Sequence, residues 1–235
     1  MLEVRSLSVF YGQHMALRDV ALRLDRSRIV VILGSNGAGK STLLKALMGL
    51  VPTRSGAQVS LEGRSLLGLP TWQLVEAGIA LVPEGRRLFG DMTVRENLLM
   101  GAYPKRAAKG AKDRLEFILS LFPRLGERLG QAVITMSGGE QQMVCFGRAL
   151  MTAPKLLMLD EPSLGLSPLL TQELFSALPR IIASGVSVLM VEQNTHLTLR
   201  FADYGYVLKN GELVGQGTAA ELQKDETVGK ALLGI

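Results

Sequence analysis

The sequence predicts an α/β fold organised on a mostly parallel sheet, and three observations carry that prediction. Ile29-Val30-Val31-Ile32-Leu33 is a continuous apolar run of the kind found in strands covered on both faces. It passes through the glycine-rich stretch Gly34-Ser35-Asn36-Gly37-Ala38-Gly39-Lys40-Ser41-Thr42 into the helix-forming Leu43, Leu44, Ala46 and Leu47. After Thr152 strand-like and helix-like segments alternate, which implies parallel strands with helices on both faces.

Taken in order, Leu2-Glu3-Val4-Arg5-Ser6-Leu7-Ser8-Val9 alternates as a half-buried strand, and 16–25 does so less cleanly. Phe10-Tyr11-Gly12-Gln13 between them reads as a turn. The helix opening at Lys40 is expected to reach Leu50 and stop near Pro52. Strand 58–61 with the turn Glu62-Gly63, helix 71–77 ended by Gly78, and strand 79–82 follow. From Glu84 the character changes to basic helices. Thr93-x-x-Glu96 is a capping box opening a run toward Met100. Segment 109–122 places Leu115, Ile118, Leu119 and Phe122 on one stripe, with Lys109–Asp113 and Lys112–Glu116 pairs across it. The α/β character returns as strand 155–159, helix 169–183, strand 186–191, helix 195–201, strand 204–208, turn Asn210-Gly211, strand 212–215 and a helix capped by Thr218. One domain of 235 residues is expected, with an α/β core of 1–84 and 152–235 and an inserted helical lobe of 85–151.

Composition bounds what such a chain does. At 47% hydrophobic residues it buries a full core, yet its apolar runs of five or six residues fall well short of the ~20 that a membrane helix needs. Met1 leads directly into strand-like sequence with no leader pattern, so synthesis in the cytoplasm is expected. A single cysteine, Cys145, excludes an internal disulfide and a cysteine-rich metal site, and within Met143-Val144-Cys145-Phe146 it reads as a buried, inert thiol. Net charge is +5, and its distribution says more than its size. Residues 85–130 hold ten Lys and Arg against five acids, and sixteen of each sign remain elsewhere. The whole excess sits in the middle segment, either as a solvated helical face or as a docking surface for anionic lipid or an acidic partner loop.

Three stretches carry chemistry. In 34–42, glycines let successive backbone N–H groups curl toward phosphate oxygens, and the helix N-terminus adds its partial positive charge. Lys40 reaches the β- and γ-phosphates of a nucleoside triphosphate, and Ser41 offers a hydroxyl to Mg²⁺. Leu156-Leu157-Met158-Leu159-Asp160-Glu161-Pro162 is an apolar strand stopped by two acids. Asp160 suits Mg²⁺, directly or through water, and Glu161 suits activation of a water toward the γ-phosphate. Ser137-Gly138-Gly139-Glu140 opens a second helix, either as a plain cap or as another anion site.

A chain with two phosphate-type helix starts and a strand ending in Asp-Glu resembles the ATP-binding cassette (ABC) ATPases. The resemblance covers nearly the whole chain in order: Tyr11, the loop 34–42, Glu84, Ser137-Gly138-Gly139-Glu140, Asp160-Glu161 and Gln193. Further stretches look like the smaller ATPase subunit of bacterial branched-chain amino acid importers: Val82-Pro83-Glu84-Gly85-Arg86-Arg87-Leu88-Phe89, Met92-Thr93-Val94-Arg95-Glu96-Asn97-Leu98, Leu121-Phe122-Pro123-Arg124-Leu125, and Glu161-Pro162-Ser163-Leu164-Gly165-Leu166-Ser167-Pro168.

The resemblance implies a P-loop NTPase of the ABC-ATPase fold, with an N-terminal antiparallel β-subdomain and an inserted helical subdomain. It implies catalytic roles for Glu161, Gln193 and Lys40, and ATP contacts from Tyr11 (stacking on adenine), Gly34, Ser35, Asn36, Gly37, Ala38, Gly39, Lys40, Ser41 and Thr42. Ser137, Gly138, Gly139 and Glu140 are expected to contact ATP held by an opposite subunit, and Ser41, Glu84 and Asp160 to serve Mg²⁺. Glu84 stands where the general pattern has Gln, and Gln193 where it has His; a glutamine accepts and donates hydrogen bonds but supplies no proton near neutrality. His196 reads as a helix-surface residue, and Ser167 replaces a frequent aspartate of the dimer interface.

The implied partners are a second ABC ATPase subunit (a sister chain, or a copy of itself in isolation), two membrane permease subunits and, indirectly, a substrate-binding protein, with no nucleic acid. The implied location is peripheral, on the cytoplasmic face of the inner membrane. A related importer for urea or short amides is the alternative, and a soluble ABC ATPase acting on nucleic acid or ribosomes is the more distant one.

Overall fold

The alternating segment at the start of the chain and the solid apolar run at 29–33 build two different kinds of sheet. The computed structural model describes residues 1–224. In chain order the elements are β1 (Leu2–Tyr11), β2 (His14–Leu24), β3 (Ile29–Leu33), α1 (Lys40–Leu47), β4 (Gln58–Leu61), β5 (Arg64–Ser65), α2 (Thr71–Ala77) and β6 (Ile79–Val82). Helices α3 (Val94–Met100), α4 (Lys105–Ala108), α5 (Ala111–Leu121) and α6 (Pro123–Glu127) follow, then a 3₁₀ turn at Val133–Thr135, α7 (Gly138–Met151) and β7 (Leu156–Asp160). The chain continues through α8 (Pro168–Ser176), α9 (Leu178–Ala183), β8 (Ser187–Glu192), α10 (Thr195–Thr198), β9 (Tyr204–Lys209), β10 (Glu212–Thr218) and α11 (Ala219–Lys224).

These elements fall into two compact units, one holding Met1–Leu74 and the chain from Ser187 on, the other Val75–Val186. In the first unit β2-β1-β4-β5 form an antiparallel sheet. Leu2, Val4, Leu7 and Val9 face inward from β1, and the three-residue step from Val4 to Leu7 is a bulge at Ser6, whose φ of 51° is left-handed. The second sheet of this unit runs β10-β9-β3-β8, with β3 parallel to both neighbours and β10 antiparallel at the edge. All five residues of β3 are buried, as a strand covered on both faces requires.

In the second unit β6 and β7 pair in parallel, from Ile79 opposite Leu156 to Val82 opposite Leu159. Helix α7 is the centre of this unit's helical part and packs on α3, α5 and α6. Phe146 of α7 meets Phe122 edge to face at 6.3 Å, and Gly147 lets Leu98 and Ile118 close over the helix backbone. The helical stretch expected over 85–151 therefore lies inside a larger unit that also holds β6, β7, α8 and α9. The parallel pairing of β3, β8 and β9 and of β6 with β7, together with an antiparallel N-terminal sheet, agrees with the α/β class expected.

Several boundaries differ from expectation for identifiable reasons. Tyr11 is the last residue of β1, paired with His14, and only Gly12-Gln13 turn. Helix α1 ends at Leu47 because Gly49 is left-handed, at φ 64°. The expected helix 109–122 begins only at Ala111, after left-handed Gly110, so Lys109 is off the helix and cannot pair with Asp113 across a turn. The expected helix 169–183 is broken into α8 and α9 by Pro179, which has no N–H for the carbonyl four residues back. The capping box at Thr93 forms, with Glu96 accepting from the Thr93 N–H at 2.8 Å.

Close approach of α3 to α7 gives a test. Gly101, at an ordinary φ of −67°, lies so near the Arg148 carbonyl that a Cβ would sit inside contact distance of its oxygen and 2.8 Å from the Met151 Cβ. Gly101→Ala is expected to destabilise the protein by about 1–3 kcal/mol in urea unfolding through overpacking alone. Gly126→Ala, in α6 with nothing within 4 Å of the new methyl, is the control and is expected to be neutral or stabilising by up to about 1 kcal/mol.

Candidate functional site

In the first unit the loop after β3 is shaped by contacts that leave no room for side chains. A Cβ on Gly34 would stand 2.5 Å from the Leu208 carbonyl oxygen of β9. Gly39, the N-cap of α1, has φ 107°, and a Cβ there would meet Leu17 Cδ2 at 2.8 Å and the Ala16 carbonyl oxygen at 2.9 Å. Glycine alone satisfies both the dihedral and the approach. The loop is tied down by Gly211 N–H donating to the Ala38 carbonyl at 2.9 Å, and Ala38 N–H donating to Ser35 at 3.2 Å. Lys40 is only 4% exposed, and its ammonium donates to the carbonyls of Gly34 at 2.9 Å and Ser35 at 3.0 Å. Its charge is thus folded over the loop that it opens from. No acidic residue lies in the first turn of α1, so nothing there offsets the positive helix end. Concave backbone, a helix N-terminus and one lysine ammonium are the donor set of a phosphate cradle.

Two other expected residues share this unit. Leu33 pairs with Glu192, so Gln193 leaves β8 at the same carboxyl end at which the loop leaves β3. Ligands of open parallel sheets collect at that end. The Gln193 side chain is exposed, and its backbone N–H donates to Glu192 Oε2 at 3.1 Å. Tyr11 is 47% exposed, and Val9, two residues before it, pairs with Leu17, which touches Gly39. Tyr11 therefore lies on the same hairpin whose β2 strand supplies Ala16 and Leu17 to the wall behind Gly39. His196 is exposed on α10, as expected.

The second unit holds the acids and the other helix start. Val82 pairs with Leu159, so Glu84 and Asp160 leave the same end of adjacent strands. Asp160 is 4% exposed, and Glu161 follows it at φ 44°, a left-handed conformation costly for a glutamate. Such strain persists where the surrounding chain over-determines it. Glu84 is exposed.

At α7, Ser137 is an exposed N-cap whose hydroxyl donates to Glu140 Oε2 at 2.8 Å and accepts from the Glu140 N–H at 3.4 Å. Glu140 is 6% exposed and also accepts from the Ser137 N–H at 2.9 Å, while its Oε1 pairs with Arg128 Nε at 3.2 Å. Burial alone would raise its pKa; the two Ser137 hydrogen bonds and the charges of Arg128 and Arg124 outweigh that and hold it below the ordinary carboxylate range. Glu140 is turned inward as a brace for Ser137. Ser167, for its part, caps α8 by accepting from the Leu170 N–H at 3.3 Å.

Part of the basic excess of 85–130 is spent on internal bracing. Arg128 pairs with Glu140, Arg124 lies 3.6 Å from Glu173, and Arg114 donates to the carbonyls of Lys109 and Ala107. Sequence reasoning counted these charges without seeing their partners, because the partners are backbone carbonyls or acids distant along the chain. Glu140→Gln is expected to cost about 1 kcal/mol of unfolding free energy at neutral pH. A carboxyl with a lowered folded pKa stabilises above its unfolded pKa and loses that contribution as pH falls through the folded value. The gap between variant and parent should therefore close in denaturant melts below the ordinary carboxylate range.

With this geometry in hand, comparison with known proteins is unambiguous. Residues 17–164 match the family model described as ABC transporter. The chain is 46% identical to the high-affinity branched-chain amino acid transport ATP-binding protein BraG of Pseudomonas aeruginosa, with 100% of both chains covered. It is 36% identical to the probable branched-chain amino acid transport ATP-binding protein LivF of Archaeoglobus fulgidus, over 100% of this chain and 99% of that one. Its fold matches the crystal structure of the ADP conformation of MJ1267, an ATP-binding cassette of an ABC transporter, with a TM-score of 0.88, 25% identity and 100% and 99% of the chains covered. The chain therefore belongs to the ABC transporter family, as one of its ATP-binding cassettes.

Proposed function

We propose that this chain is the ATP-hydrolysing subunit of an importer for branched-chain or related hydrophobic amino acids. The observation that supports the cargo is the 46% identity to BraG across the whole of both chains. The observation that supports the chemistry is the phosphate cradle with Lys40 folded over it. No described helix is long and apolar enough to cross a membrane, so transport requires permease subunits, two of them in this reading, with the cassette held peripherally on their cytoplasmic side. A substrate-binding protein would act through those permeases.

In this reading the backbone N–H groups of 34–42 bind the phosphates of ATP, and Lys40 exchanges its two carbonyl partners for the β- and γ-phosphate oxygens. Ser41 and Asp160 hold Mg²⁺, with Glu84 near enough in the strand order to Asp160 to assist. Mg²⁺ in such a site would take most of its ligands from phosphate and water, so a few protein oxygens suffice. Bound there, such an ion would supply neutralisation of phosphate charge. Glu161 accepts the proton of the attacking water, Gln193 orients the γ-phosphate by hydrogen bonds, and Tyr11 stacks on the adenine. Ser137, Gly138 and Gly139 close over the ATP of a second ATPase subunit, held in place by Glu140. ATP then drives closure and hydrolysis releases it, a population shift that does work on the permeases.

Lys40→Ala is expected to weaken ATP binding at least about 100-fold in a fluorescent-nucleotide titration, since it removes the cradle's lysine ammonium. Glu161→Gln should bind MgATP normally, hydrolyse it about 10²–10⁴-fold more slowly and accumulate a closed dimer in size-exclusion chromatography. His196→Ala should retain near-parental ATPase activity. Reconstitution with permease and binding-protein partners should give ATP-dependent uptake of labelled leucine and none of urea; the reverse would overturn the cargo assignment.

A further inference from the structure

The loop that carries Glu84 is held in an unusual conformation by the start of α7. Gly85, Arg86 and Arg87 have φ values of 77°, 61° and 50°, so three consecutive residues are left-handed and two of them are arginines. Non-glycine residues stay there only where their surroundings leave no alternative. Here the surroundings are one stripe of α7, namely Gln141, Cys145 and Arg148. Cys145 Sγ donates to the Arg86 carbonyl at 3.1 Å, and Arg148 Nη2 donates to the Arg87 carbonyl at 2.7 Å and more loosely to that of Arg86 at 3.4 Å. Burial pushes the Cys145 thiol up to about 11, so it remains a donor at neutral pH.

The Arg86 side chain then turns to the first turn of α7. Its Nη1 donates to Gln141 Oε1 at 3.2 Å, and its Nη2 lies 2.8 Å from where a Cβ on Gly138 would stand. Gln141 is itself pinned, donating from Nε2 to the carbonyls of Val133 at 3.1 Å and Met136 at 3.2 Å. Downstream, Phe89 is anchored by Asn97, which accepts from its N–H at 3.0 Å and donates to its carbonyl at 2.9 Å, and the Arg148 guanidinium lies over the Phe89 ring at 5.4 Å. Arg86 therefore ties the chain two residues beyond Glu84 to Gly138 and Gln141.

We propose that Arg86 is a positioning residue that couples Glu84 to the first turn of α7, so that ATP bound by this chain sets the posture of the helix start presented to the other subunit's ATP. The proposal rests on the reading above that Glu84 serves this chain's nucleotide and Ser137-Gly138-Gly139 the neighbour's. A bare glycine face at Gly138 serves two purposes in it: it admits phosphate from outside and the Arg86 guanidinium from within.

Hydrogen exchange on the full chain tests this, in a Glu161→Gln background that preserves ATP and at dilutions where sedimentation shows a monomer. MgATP should slow exchange of amides in 34–42 and also alter it in 138–142. With Arg86→Ala added, the response in 34–42 should persist, with ATP affinity within two-fold, while that in 138–142 should fall at least ten-fold. In the same variant the ATP concentration for half-maximal dimerisation should rise at least ten-fold. A merely structural role would lower the melting temperature and leave the 138–142 response intact, which would overturn the proposal, as would no response there in the parent. Where Arg86→Ala fails to fold, Gln141→Ala, which removes the guanidinium's partner along with its ties to the Val133 and Met136 carbonyls but leaves the Cys145 and Arg148 bonds to the turn in place, decides in the same way. Absence of any response in 34–42 in the parent would remove the ATP-binding reading itself and the proposal with it.

Discussion

Burial of β3 on both faces is the constraint from which the phosphate loop follows. A strand with all five side chains buried cannot slip in register without exposing part of the run. Its parallel pairing with β8 and β9 places the start of the glycine loop, Gln193 and the Leu208 carbonyl against Gly34 at one sheet edge. Left-handed Gly37 and Gly39 then turn the chain from the end of β3 at Leu33 into α1 at Lys40. The site is concave because the chain is crowded from behind, by Ala16, Leu17 and Leu208, and has nowhere to turn except toward solvent. Lys40 is buried against the loop's own carbonyls, neutral acceptors that hold an ammonium less strongly than anionic ones would.

In the second unit the equivalent organiser is α7. Its core face seats Phe146 against Phe122, its glycine at 147 admits Leu98 and Ile118, and its remaining stripe governs the loop after β6. One helix thus sets the position of both its own N-terminal serine and the chain following Glu84. Glu140 illustrates how local chemistry is subordinated to that job. Its carboxylate is turned back onto Ser137 and paired with Arg128, so its charge is satisfied within the unit. Glu161, directly after buried Asp160, is likewise held in a left-handed conformation that is costly for a glutamate.

Most elements of the fold were legible from period and punctuation. Strands 29–33, 58–61 and 79–82 and helix 71–77 fall where apolar runs and flanking glycines put them. The misreadings share one cause: a single residue's backbone preference overrode a longer pattern. Pro179 split an amphipathic run, Gly110 detached Lys109 from its helix, and Gly49 ended α1 early. The bulge at Ser6 gave no signal, because a serine carries no preference strong enough to announce φ 51°.

By itself the sequence determined the α/β class, the phosphate loop, the acids at a strand end and the capped glycine helix, because each is a contiguous pattern whose physics is local. Tertiary structure alone decided what the arginines are for. Arg86, Arg114 and Arg128 read as surplus charge along the chain, yet in space they are pinned to Gln141, to the Lys109 and Ala107 carbonyls and to Glu140. A guanidinium on a long flexible stem finds its acceptors by proximity in three dimensions, and backbone carbonyls carry no sequence signature. The left-handed turn at Arg86 and Arg87 belongs to the same category. Nothing in two arginines asks for it; the stripe of Gln141, Cys145 and Arg148 imposes it.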